Sequence, residues 1–82
     1  MIEKQEILQK LNAVLESEKN YKEAYEWALK IIITPAYDEL CKKNKLFADA
    51  IHALFCLHDE NPQFNTSREE LIYYRDRLSN SG

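Results

Sequence analysis

The only glycine in this chain is Gly82, the last of its 82 residues. Phosphate-binding loops, dinucleotide fingerprints and nucleophile elbows all need internal glycine, for tight turns or close backbone approach, so none of them is available here. That rules out the common cofactor-binding folds, and the chain's punctuation lies in its N-caps and prolines.

The stretch Asn20–Pro35, NYKEAYEWALKIIITP, shows such punctuation most clearly. Asn20 suits an N-cap, with Glu23 three residues on completing a capping box. At 100° per residue Tyr21, Ala24, Tyr25, Ala28, Ile31 and Ile32 share one face, and Lys22, Glu23, Glu26 and Lys30 lie opposite. Trp27 borders the apolar side. Pro35 forbids continuation and, behind Thr34, opens a new helix.

The same reasoning along the chain predicts an all-α fold, a small bundle of four main helices plus one short helix, in a single domain over 1–82. The helices fall at about 2–17, 21–33, 35–43, 45–58 and 67–78. The first carries the stripe Ile7, Leu8, Leu11, Val14 and Leu15. The short one has Ala36, Tyr37, Leu40 and Cys41 as its apolar side. The fourth is apolar around more than half its circumference, through Leu46, Phe47, Ala50, Ile51, Leu54, Phe55 and Leu57, as a central helix would be. Thr66 and Glu69 form a capping box for the last, whose inward side is Leu71, Tyr74 and Leu78. Trp27, Tyr25, Ala28, Leu54, Leu71 and Tyr74 are expected in the structural core.

A net charge of −3 argues against nucleic acid, which calls for a basic stripe. No apolar run is long enough for a membrane span, and Met1 leads into charged, helix-forming sequence rather than a signal peptide. Cys41 and Cys56 are therefore expected as reduced thiols in a cytoplasm.

Three constellations bear on chemistry. Asp49, His52 and Cys56, at i, i+3 and i+7, share the polar wedge of the fourth helix. They have the composition of a thiol nucleophile, but mid-helix amides are already bonded and cannot form an oxyanion hole. His52 and Cys56, with Cys41 or His58, are metal-ligand types without a C-x-x-C knuckle, so no metal, no cofactor and no enzyme is expected. The third is the last helix and the loop before it, where Asp59, Glu60, Glu69, Glu70 and Asp76 surround Phe64 and Tyr73. Carboxylates about an aromatic anchor suit a protein partner with a basic surface.

The pattern Glu23-Ala24, two residues, Trp27-Ala28 resembles the E-A-x-x-W-A helix of a group of small bacterial immunity-type proteins. Asp49–Leu54 with Leu57-His58-Asp59 is similar to their second block, and 67–78 to their closing segment. The resemblance implies a cytoplasmic protein that binds and neutralises a cognate toxin domain. The alternative is a self-associating helical scaffold or regulatory subunit, a homodimer through Trp27 or Tyr73.

Overall fold

The computed structural model describes residues 3–58 and 66–80. The described residues form five α-helices: α1 (Lys4–Glu16), α2 (Tyr21–Ile32), α3 (Pro35–Lys43), α4 (Lys45–Phe55) and α5 (Arg68–Asn80). Short 3₁₀ turns at Glu18–Asn20 and Cys56–His58 lead into α2 and out of α4. The described residues contain no strand, so the chain is a small all-α bundle. No described helix is long and apolar enough to cross a membrane.

α4 packs against α1, α2, α3 and α5. Its buried residues are Ala48, Ala50, Ile51, Ala53 and Leu54, and Leu57 continues the core from the 3₁₀ turn. The three alanines let neighbouring backbones come close, while Ile51 and Leu54 fill the volume between them. α1 contributes Ile7, Leu11, Val14 and Leu15, and α5 contributes Leu71 and Leu78.

α2 differs from its expected form. Only Ala24 and Ala28 are buried. Its large side chains, Tyr21, Tyr25, Trp27, Ile31 and Ile32, are half-buried. Two methyl groups at the contact line bring the helix too near its neighbours for large residues to lie between them, so those residues splay over the flanks. Of the expected core, Ala28, Leu54 and Leu71 are buried, whereas Trp27 and Tyr74 are half-buried and pack against it. Tyr25 is half-buried with its ring 5.5 Å from that of Phe55.

α3 has no buried residue. Tyr37 and Leu40 lean on the core, but Ala36 and Cys41, expected on the same apolar side, are exposed. This nine-residue helix packs mainly against α2 and α4 and leaves Ala36 and Cys41 exposed on its outer side.

Two caps also differ. Asn20 does not cap α2: it sits in αR geometry and its Nδ2 donates to the Ala13 carbonyl at the end of α1, 2.8 Å away. Ser17 caps the preceding 3₁₀ turn instead, accepting from the Lys19 amide, and Glu23 forms an exposed ion pair with Lys10 at 3.4 Å. At α5, Ser67 Oγ accepts from the Glu70 amide, while Thr66 Oγ1 donates to the Ala53 carbonyl of α4. Asn44 serves two helices, its amide bonding the Leu40 carbonyl and its Oδ1 accepting from the Phe47 amide.

The bundle sets two expectations for urea unfolding. Leu54→Ala removes a fully buried side chain from the central helix and should cost about 2–5 kcal/mol, a large part of the roughly 4–12 kcal/mol typical of a domain this size. Ala28→Leu forces bulk into the α2 contact line and should cost about 1–3 kcal/mol. An unchanged midpoint for Ala28→Leu would show that α2 is not close-packed.

Candidate protein-binding surface

α5 turns Leu71 and Leu78 inward and so presents Glu69, Glu70, Tyr73, Asp76 and Arg77 outward. Tyr73 is 53% exposed. Its ring meets Tyr74 edge-on, centroids 5.3 Å apart and planes at 75°, and the Arg77 guanidinium carbon lies 5.9 Å from its centroid. The edge-on contact follows the ring quadrupole, and the guanidinium at i+4 is drawn to the negative π face. An exposed tyrosine is thereby held in place by a half-buried one beneath it and a cation beside it.

The electrostatics of this face are mixed rather than acidic. Arg75 donates through Nε and Nη2 to one Asp76 carboxylate oxygen, at 3.2 and 3.1 Å. Arg68 donates to the Leu15 carbonyl at 3.0 Å, tying the start of α5 to the end of α1. Three arginines thus balance Glu69, Glu70 and Asp76 along α5. Glu69 and Glu70 occupy the first turn, where the helix dipole favours carboxylates whatever their other role. Arg77 is not among the residues the sequence pattern singles out, although its i+4 spacing from Tyr73 is a signal for the contact. Asp59, Glu60 and Phe64, expected to share this surface, lie outside the described residues.

The wedge of α4 divides in two. His52 Nδ1 and Cys56 Sγ approach to 3.7 Å, with His52 exposed and Cys56 half-buried. The half-buried Asp49 acts instead on two tyrosines. Burial, helped by a hydrogen bond with Cys41 and by the charges of Cys41, Asp49 and Asp38, pushes the Tyr37 phenol up to about 12. Burial, then the charges of Asp49 and Glu70 and the neighbouring Tyr73, raises Tyr74. Tyr37 also donates to the Ala48 carbonyl over a long 3.5 Å. The polar contact that His52 makes is with Cys56. No group of three or more His, Cys, Asp or Glu side chains suited to a metal occurs among the described residues, which exclude the His58 side chain.

Comparisons with protein-family models, curated proteins and solved structures found no match to this chain. The surface must be interpreted from its own residues.

The tyrosines give a pH expectation. Both phenols hold their protons more tightly folded than unfolded, so the unfolded chain loses protons first as pH rises. Stability should be flat up to about pH 10, the ordinary tyrosine range, then fall towards about pH 12, where Tyr37 itself ionises. Urea melts at stepped pH check this. Tyr37→Phe should reduce the slope above pH 10, and an unchanged slope would remove Tyr37 as its source.

Proposed function

We propose that this chain is a protein-binding module whose outer α5 face docks a protein partner, with Tyr73 and Arg77 at the centre of the contact. The observation carrying this is the exposed Tyr73 ring, braced by Tyr74 and Arg77. Tyr and Arg are the residue types that most often dominate binding energy, and a pre-ordered ring loses little conformational freedom on docking. Glu69 and Glu70 at one end of the face and Arg77 beside Tyr73 suit a partner presenting basic groups at one end of an apolar pocket and an acidic group at the other. A standard interface would take about 800 Å² from this protein, roughly a seventh of its 5664 Å² surface.

In its most concrete form the partner is a bacterial toxin domain and this chain is its cytoplasmic immunity protein. The Glu23-Ala24-x-x-Trp27-Ala28 helix and the Asp49–Leu54 block support that form by their resemblance to immunity-type proteins. The other reading, a self-associating scaffold, draws on Ile33, 73% exposed at the end of α2. The mass in solution separates the two, because a tight dimer favours the scaffold.

Co-producing this chain with the C-terminal domain of a large secreted protein encoded beside it tests the immunity form. The expected result is restored growth and a one-to-one complex. Tyr73→Ala should weaken that complex by about 30-fold, the effect of a residue worth roughly 2 kcal/mol, while changing folding stability by less than about 0.5 kcal/mol. Undiminished binding by Tyr73→Ala would move the interface off α5. A large loss of stability would mean that the tyrosine is structural.

A further inference from the structure

Apart from the α5 face, the fold leaves a groove of about 460 Å³ between the C-terminal end of α2 and the outer side of α3. Ile31 and Leu40 contribute its large apolar side chains, Ala36 adds a methyl group, and Lys30, Glu39 and Lys43 are the charged residues along it. On α3 the lining residues Ala36, Glu39, Leu40 and Lys43 fall at i, i+3, i+4 and i+7. That is the stripe one helix offers another, and the exposed Ala36 permits close approach. Ile33, the most exposed large apolar side chain among the described residues, immediately precedes Thr34, which also lines the groove.

Charge decides what kind of helix fits. Two lysines face one glutamate along the lining, and Lys42 and Lys45, both exposed, add to the same end of α3. This end is basic in a chain whose net charge is −3, so the pattern does not follow from overall composition. The groove is also short: α3, at about 1.5 Å per residue, offers roughly 13 Å, two to three turns of a partner helix.

We propose that this groove is a second docking site, taking a short amphipathic helix of a partner protein that carries acidic residues beside its apolar anchors. Aliphatic side chains enter over Ile31 and Leu40, Ala36 lets the backbones close, and carboxylates meet Lys30 and Lys43. The site shares no residue with the α5 face and stands or falls separately from it.

The test uses two 15-residue helical peptides with the same leucine anchors at i, i+3, i+4 and i+7, one flanked by glutamates and the other by lysines, titrated into isotope-labelled protein and followed by amide chemical shifts. The glutamate peptide should shift residues around Lys30–Lys43 and bind at least tenfold tighter than the lysine peptide. Reversing both rim charges, Lys30→Glu with Lys43→Glu, should invert that preference. Ala36→Arg, at an exposed position, should abolish binding without altering the melting temperature. Trp27, the only tryptophan and one turn before Ile31 on α2, supplies an independent fluorescence signal. Equal affinity for the two peptides, shifts centred on α5, or no binding of either would overturn the proposal. So would a protein dimer in sedimentation that Ala36→Arg dissolves, since the occupant would then be a second copy.

Discussion

The packing of α4 sets the dimensions of everything around it. It contacts each of the other four helices, and three of its five buried residues are alanines. A helix surrounded on several sides must be narrow where neighbours cross and wide where they leave gaps, and the Ala48, Ala50, Ile51, Ala53, Leu54 sequence meets both demands. The same constraint passes outward to α2, whose contact line is Ala24 and Ala28. Because alanine holds the centre of that contact, the aromatic side chains of α2 are displaced to its margins. They shield the core edge without forming its middle.

Hydrogen bonding supplies the second level of order. Near helix C-termini carbonyl oxygens lack intrahelical partners, and in proteins rich in glycine a left-handed residue often satisfies them. Here side chains add to the backbone bonds, since the Ala13 and Ile31 carbonyls already accept from the Ser17 and Thr34 amides. Asn20 bonds the Ala13 carbonyl, Arg68 the Leu15 carbonyl, Thr34 the Ile31 carbonyl and Thr66 the Ala53 carbonyl. Three of these four bonds join separate elements, so terminating a helix and placing its neighbour become the same act. Arg68 in particular fixes the start of α5 against α1, and with it the orientation of the face carrying Tyr73.

The helices and their order were legible because each apolar stripe is long and each stop is punctuated. The caps were less so. Asn20 and Thr66 have the chemistry of N-caps, and local spacing alone ranks the nearest amide as the best partner. Each instead bonds a carbonyl of another helix, a partner invisible until the fold brings it near. The outer side of α3 failed for a related reason: Ala36 and Cys41 are apolar, but nothing in a sequence says that a short helix will have neighbours on only one side. On α5 the carboxylates and Tyr73 were legible, whereas the role of the countercharges was not. Arg75 and Arg77 stand beside them in the sequence, and their effect follows only from knowing which side chains they touch.

Among the described residues no backbone angle enters the left-handed region and no peptide bond is cis. Every link between consecutive helices from α1 to α4 is thus made from conformations open to any L-residue. A fold whose corners demand a particular backbone must keep particular residues there, and substitution at those points breaks it. This one confines its requirements to its apolar interior and a few hydrogen-bonding side chains. Its exterior is free to change one residue at a time without disturbing the frame, a property that would let a binding protein follow a changing partner while keeping the same scaffold.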